Sequence, residues 1–245
     1  MKVIVTNSYD ETCAVIANMI KELVNAKPDA KLGLATGGTP VPIYKKLIEM
    51  NKAGEVDFSR VHTVNLDEYC GIPGTHDQSY RYFMDTNLFD YINIDKKNTF
   101  VASGMGDFEA NARELEEKVR EGGAADLQLL GIGNNGHIAF NEASDHLIAV
   151  AHTEKLTEST INANARFFEK KEDVPTMAIT MGMGDILAAK KVVLAATGLA
   201  KVPAIRGLIM DDVITTQNPS TMLKMHEDAV VVIDRELADA VGYRA

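Results

Sequence analysis

Leu129–Glu142 reads LLGIGNNGHIAFNE, and the fold turns on how it is read. It starts as a buried strand, breaks into glycines and asparagines, and then offers one histidine and one glutamate. A short apolar run bounded by glycine and asparagine is the mark of a strand buried on both faces. Gly131, Gly133 and Gly136 allow close backbone approach in the turn that follows.

Outward from this stretch, bursts of apolar sequence alternate with segments of helical period. Lys2–Thr6 reads as a strand, and Ser8 with Glu11 forms a capping box that opens a helix. Ile16, Met19, Ile20, Leu23 and Val24 make its apolar stripe. Lys31–Ala35 is a predicted strand and Pro40–Met50 a helix with Ile43, Tyr44, Leu47 and Ile48 on one face. Val61–Leu66 is the third strand, Ser79–Tyr91 a helix, and Phe108–Glu121 a strongly charged surface helix. Asp126–Ile132 is the central strand. Lys191–Ala196 and Ala229–Ile233 follow as strands, with a helix over Leu199–Met210 between them and a short helix at the end.

This alternation predicts an α/β fold with a doubly wound, mostly parallel central sheet flanked by helices, a modified Rossmann-like arrangement. No repeat or linker divides the chain, so residues 1–245 are expected to form a single domain. Asp145–Pro175 stands apart: it is polar, weakly periodic and contains the run EKKED. It reads as a lid-like excursion over the sheet edge or as a surface helix and loop.

The 245 residues suffice for a sizeable core, and 46% hydrophobic with 24% charged residues is ordinary globular composition. A formal net charge of -10 argues against nucleic-acid binding. Two cysteines, Cys13 and Cys70, stand in no metal-ligand spacing. His62, His76, His146, His152 and His226 form no ligand cluster with acids, so no catalytic metal is expected. No apolar run approaches the roughly 20 residues of a membrane span, and the chain opens directly on a strand without a signal run. A cytoplasmic protein is therefore expected, with no membrane partner; homo-oligomerisation is left open.

In parallel sheets ligands bind outside the carboxyl ends of strands, so the residues after each strand carry the functional reading. After the second strand, Thr36, Gly37, Gly38, Thr39 and Pro40 combine flexible backbone amides with an N-cap and a proline suited to the first helical position. That is either an anion site at a helix N-terminus or a well-capped turn. After the third strand, Asp67 and Glu68 follow the apolar run, and alternation sends one of them into the crevice. It is a candidate general base there, unless both are solvated loop acids.

After the central strand, His137 can give or take a proton near neutral pH, with Glu142 about one helical turn away to orient it. The alternative is a histidine satisfied by a turn carbonyl. After the next-to-last strand, Lys201 sits against the dipole of a helix start, which an anionic ligand would explain; the alternative is a solvated lysine. Arg166, beside two aromatics, is either a bidentate phosphate clamp or a surface arginine.

Taken together and in order, LATGGTP, NLDEYCGIP with HDQSYRYFM, LLGIGNNGHIAFNE, ARFF and TGLAK resemble the glucosamine-6-phosphate deaminase (isomerase) family. The resemblance runs from the first strand to about the last. It implies a cofactor-free conversion of glucosamine 6-phosphate and water into fructose 6-phosphate and ammonia, with an amino-sugar phosphate as the small-molecule partner. It implies Asp67 as the base that moves a proton between C2 and C1, and His137 as the acid/base that opens the pyranose ring. Glu142 and Asn135 would support His137, while Thr36, Gly37, Gly38 and Thr39 hold the phosphate with Arg166 and Lys201.

The chain also departs from the pattern. Many relatives carry aspartate where Asn135 stands, and Ala143 replaces the usual proline after Glu142. An amide carries no charge, so Glu142 alone is expected to stabilise the imidazolium. The basic residues of relatives activated by N-acetylglucosamine 6-phosphate are replaced here by His152, Thr153, Glu154 and Lys155, so that effector site is not expected. Galactosamine 6-phosphate is the alternative substrate. The 6-phosphogluconolactonases share the fold and a glycine-histidine loop but lack the AFNE continuation. A sugar-phosphate sensor on the same scaffold would carry an appended basic module and decayed acid/base residues, and neither is expected.

Overall fold

The computed structural model describes residues 1–244, the side chains of Ser159, Ala163 and Phe167 excepted. Along the chain lie β1 (Lys2–Thr6), α1 (Tyr9–Ala26), β2 (Lys31–Leu34), α2 (Val41–Lys52), β3 (His62–Asn65), β4 (Asp67–Tyr69), α3 (Tyr80–Asn87), β5 (Thr99–Phe100) and α4 (Phe108–Arg120). The second half contains β6 (Leu127–Leu130), β7 (His152–Lys155), α5 (Glu158–Asn164), β8 (Met177–Thr180), α6 (Met183–Leu187), β9 (Val192–Ala196), α7 (Val202–Ile209), β10 (Ala229–Asp234) and α8 (Arg235–Val241).

Seven strands form one sheet in the order β1-β10-β9-β6-β2-β3-β5, and its pairings are parallel. The mostly parallel, doubly wound sheet expected from the alternation is therefore present. Each face carries its own core. On one side α1, α2 and α3 bury Ile16, Ile20, Tyr44, Leu47 and Met84 against Leu32, Leu34, Leu127 and Leu129. On the other, α4, α6, α7 and α8 bury Leu115, Ile186, Ile205 and Leu237 against Leu130, Leu194 and Val231. Burial of this kind is worth about 1.5–3 kcal/mol per large aliphatic side chain.

Local signals explain several element ends. Ser8 caps α1 by accepting from the Glu11 amide at 3.2 Å, and Glu11 returns the contact to the Asn7 amide at 2.7 Å, one residue earlier than a capping box requires. Asp126, at the start of β6, receives Lys27 at 2.5 Å and Lys190 at 2.7 Å. Burial works against its ionisation, yet these lysines and the Lys31 amide bring its pKa down to about 2. The Lys31 ammonium closes the end of α4 by donating to the carbonyls of Lys118, Val119, Glu121 and Gly123 at 2.7–3.0 Å.

Three element ends differ from the sequence expectation. The predicted helix to Tyr91 stops at Asn87, because Leu88 leaves helical geometry and Phe89–Tyr91 forms a separate 3-10 turn. Pro40, not Thr39, occupies the N-cap of α2, and no side chain caps it. Lys201 closes a 3-10 turn, Leu199–Lys201, directly before α7.

A second sheet, β4-β8-β7, is antiparallel and was not expected. Its first strand is three residues long and carries two acids, so no apolar alternation announces it. It places Asp67 opposite Thr180 and His152 on the other side of Thr180. Asp145–Pro175 thus contributes β7 to this sheet before continuing through α5.

Candidate active site

The sheet reverses its winding between β2 and β6, which are neighbours. On one side the chain proceeds to β3 and β5, and on the other to β9 and β10. Such a switch point opens a crevice at the carboxyl ends of the strands. The segments that follow β9, β6, β2 and β3, four adjacent parallel strands, carry Lys201, His137, Thr36–Thr39 and Asp67 respectively.

The loop after β6 is folded around the imidazole. A Cβ on Gly133 would stand 2.3–2.5 Å from three ring atoms of His137, so the absence of a side chain there makes the ring's place. Gly136 turns with φ +86, and a Cβ on it would run into Asn218. Ala139 adopts φ 54, a left-handed conformation unusual for a residue with a Cβ, between His137 and the Phe140–Glu142 run. Asn141 fastens the loop by donating to the carbonyls of Ile138 at 3.0 Å and Met181 at 2.8 Å.

His137 Nδ1 lies 3.4 Å from Glu142 Oε2, an ion-pair distance outside good hydrogen-bond geometry. Asn135 Nδ2 donates to the same carboxylate oxygen at 2.8 Å, and Asn135 Oδ1 accepts the His137 backbone N–H at 3.2 Å. The asparagine therefore supports His137, as expected, through the glutamate and the backbone N–H. The other oxygen, Glu142 Oε1, accepts from the Thr160 hydroxyl. Burial opposes the charge, but His137, Thr160 and Asn135 hold the Glu142 pKa down at about 2.

Asp67 and Glu68 are both buried, at 7% and 1% exposure. Glu68 accepts the backbone N–H groups of Tyr69 and Tyr80 at 2.8 Å and of Arg81 at 3.0 Å, serving the start of α3. Burial raises its pKa to about 7 in spite of those donors. Asp67 accepts no side-chain hydrogen bond among the described residues. Burial, with the Glu68 charge beside it, raises its pKa to about 8. Thr180 joins this strand to the loop after β6: it pairs with Asp67 in the small sheet and its Oγ1 accepts the Phe140 amide at 3.2 Å.

The turn after β2, where an anion site is expected, is less enclosed. Gly37 has φ +92, and neither Gly37 nor Gly38 has an atom within 4 Å of a Cβ position. Both ends of the turn are pinned from below, by Tyr44 Oη on the Ala35 carbonyl at 2.5 Å and Tyr9 Oη on the Thr39 carbonyl at 2.8 Å. Lys201 has a lowered pKa, first through burial and then through the charge of Arg166. Two cations thus stand within electrostatic reach of each other. Like charges held together in this way are relieved by a multivalent anion.

Two contributors carry no signal in the sequence. Thr160 and Thr180 are buried threonines without a motif of their own. Glu68 looked equivalent to Asp67 until its amide partners were visible. Among the described residues no group of three or more His, Cys, Asp or Glu side chains is arranged to hold a metal.

Residues 6–232 match the family described as glucosamine-6-phosphate isomerases/6-phosphogluconolactonase. The chain is 52% identical over 242 residues to a glucosamine-6-phosphate deaminase of Clostridium beijerinckii, covering 98% of this chain and 100% of that one. It is 49% identical to a glucosamine-6-phosphate deaminase of a Thermoanaerobacter species, covering 98% and 95%. A solved structure described as a monomeric glucosamine-6-phosphate deaminase superposes with a TM-score of 0.94 at 39% identity, over 98% of this chain and 100% of that chain. A 6-phosphogluconolactonase from Thermotoga maritima shares the fold, with a TM-score of 0.75 at 19% identity over 96% and 99%.

Proposed function

The chain belongs to the glucosamine-6-phosphate isomerase/6-phosphogluconolactonase family, and within it we propose an enzyme that converts glucosamine 6-phosphate and water to fructose 6-phosphate and ammonia. What supports this reading most is that two different acid/base groups follow β6 and β3, the two strands flanking β2, at one end of the sheet. His137 is backed by an ionised carboxylate, and Asp67 is a buried carboxylate held near neutrality in proton affinity. A lactone hydrolase needs to activate water once; an aldose-ketose conversion with ring opening needs two separate proton shuttles.

Each step follows from these groups. His137 protonates the ring oxygen as the anomeric hydroxyl gives up its proton, and the C1 aldehyde forms. The Glu142 charge, fixed by Asn135 and Thr160, favours the imidazolium that this exchange passes through. Asp67 then takes the proton from C2 while the His137 imidazolium gives one to the aldehyde oxygen, forming an enolamine, and Asp67 returns its proton to C1. The resulting C2 iminium adds water and expels ammonia, leaving the C2 ketone. A base with a pKa near 8 is strong enough to take that proton and is ionised in part at neutral pH.

The phosphate of the substrate is proposed to rest on Thr36, Gly37, Gly38 and Thr39, gripped by Arg166 and Lys201. Residues 145–175 are proposed to act as a lid, supported by the contacts of α5 and Phe168 with the site: Asn164 Nδ2 donates to Tyr69 Oη at 2.8 Å, and Phe168 packs on Tyr69 with ring centroids 6.0 Å apart. The same reading treats residues 1–245 as one domain acting in the cytoplasm, where phosphorylated sugars are confined by their charge. The solved relative described as monomeric supports a site complete within one chain.

The test is release of ammonia and fructose 6-phosphate from glucosamine 6-phosphate, with galactosamine 6-phosphate and 6-phosphogluconolactone alongside. Ammonia from the gluco epimer is the expected result. Turnover of the lactone with no ammonia from either amino sugar would overturn the proposal.

A further inference from the structure

Glu142 is held at both oxygens, and the two holds come from different parts of the chain. Oε2 receives Asn135 and faces His137, all within the loop after β6. Oε1 receives the hydroxyl of Thr160, which is buried in the first turn of α5. Thr157, the N-cap of α5, accepts the Thr160 amide at 3.2 Å, and its own hydroxyl donates to Thr160 Oγ1 at 3.1 Å. That donation fills an acceptor site on Thr160 and leaves its proton directed at Glu142. The result is a relay of donors, Thr157 to Thr160 to Glu142, ending on the carboxylate that faces the imidazole.

The segment that supplies Thr160 also touches the other side of the crevice. Asn164, one turn further, donates to Tyr69, two residues beyond Asp67. Arg166 follows directly, with its charge felt at Lys201. A carboxylate bound at one oxygen can still rotate about its terminal bond; bound at both it has one orientation. The orientation of Glu142 toward His137 thus depends on a residue in the same short segment as the cation nearest Lys201.

We propose that Thr160 is a positioning residue for the acid/base pair, setting Glu142 for His137 and tying that pair to the seating of the segment that carries Arg166. This rests on the reading of His137 as the ring-opening group and of Arg166 as a phosphate ligand. Thr160 touches neither substrate nor imidazole; it acts through Glu142. A phosphate that seats Arg166 also seats Thr160, so that the pair is fully oriented when the substrate's far end is held.

The experiment compares Thr160→Val, which keeps the shape and removes the donor, with Thr160→Ser, which keeps the donor. Thr160→Ala serves in place of valine if that variant does not fold. With glucosamine 6-phosphate, valine is expected to lower kcat by about 10- to 100-fold with KM changed less than about threefold, and serine to restore most of the loss. In an Arg166→Ala background the same valine substitution is expected to cost less than about threefold, because the segment is no longer seated by phosphate. An unchanged kcat in the valine variant, no rescue by serine, or losses that simply multiply would overturn the coupling.

A wild-type protein that releases ammonia from neither amino-sugar phosphate fails the functional reading instead. The positioning role is then read without turnover, from the NMR titration of the His137 ring in the free protein. Valine is expected to move that titration and serine to leave it in place. A ring unmoved by valine overturns the role.

Discussion

Asp67 and Glu68 are neighbours in β4 and both are buried, yet their carboxylates live in opposite conditions. Glu68 accepts three backbone N–H groups, while Asp67 accepts none from the described residues. The glutamate is therefore the structural member of the pair, stitching β4 to the start of α3. The aspartate keeps its lone pairs free and is left with only burial and a like charge, both of which raise its affinity for a proton.

Holding Asp67 in this way carries a cost that depends on pH. Folding raises its pKa from an ordinary 3.8 to about 8, so across that window the folded protein keeps a proton that the unfolded chain releases. Stability from this group is therefore greatest at low pH and falls as pH rises through the window. Asp67→Asn removes the penalty. The variant is expected to be more stable than wild type by roughly 1–3 kcal/mol at pH 8 and nearly equal at pH 4. It should bind substrate but lose exchange of the C2 hydrogen with solvent. Urea unfolding at the two pH values and the exchange assay check both halves; normal exchange in the variant removes Asp67 as the base.

Glu68→Gln separates the charge of Glu68 from its bonds. Without that negative neighbour, the Asp67 pKa drops, and the acid limb of kcat/KM moves to lower pH. The amide must also present an N–H2 to one of the three backbone donors, so stability is expected to fall by about 1–3 kcal/mol. A pH–rate profile that stays in place while stability falls would mean that Glu68 does not set the base.

Much of this was legible beforehand, for definite reasons. Strands buried on both faces announce themselves by near-continuous apolar sequence, as Val192–Ala196 does throughout and Leu127–Leu130 does with Gln128 as its one interruption, and they fix where the loops after them converge. His137 and Lys201 were visible because each follows such a strand, and Asp67 because it follows the shorter, more polar β3. The second sheet was not, because β4 is three residues of mostly charged sequence and its pairing with β8 spans more than a hundred residues. The partner of Asn135 was equally hidden. Spacing places Asn135 two residues from His137, but whether its amide meets the ring or the glutamate depends on the turn that Gly136 and Ala139 impose.

Gly133→Ala tests the seat of the imidazole. The added methyl would meet the His137 ring at 2.3–2.5 Å, so the ring must leave its place. Gly131→Ala is the control, since nothing lies within 4 Å of its Cβ position. The first is expected to lower kcat by about 100-fold or more and the second by less than about fivefold. Equal effects would show that the ring does not rest on Gly133 during turnover.

Lys201→Ala addresses the anion side. The two neighbouring cations repel each other in the free protein, and a phosphate removes that repulsion. KM for glucosamine 6-phosphate is expected to rise by about 10- to 100-fold with a smaller change in kcat, and inorganic phosphate should inhibit the variant more weakly. An unchanged KM with a reduced kcat would assign Lys201 to the chemistry and take it off the phosphate.

Asn135→Asp replaces a donor with a charge. In the wild type the amide donates to Glu142 at 2.8 Å and helps keep that carboxyl near a pKa of about 2. Glu142 therefore contributes stability that is present above its ordinary pKa, near 4.5, and is lost as pH falls through 2. With aspartate, two carboxylates face each other at the same distance and one of them gains affinity for a proton. That proton is bound more tightly in the folded than in the unfolded state, so the variant loses stability as pH rises. Its deficit against wild type is expected to be about 1–2 kcal/mol at pH 7 and to shrink toward pH 5, where the pair shares a proton. Thermal unfolding followed from pH 4 to pH 8 distinguishes the cases. Diverging curves place Asn135 against Glu142 in solution. Parallel curves would mean that the amide faces something else, and that His137 is supported by Glu142 without it.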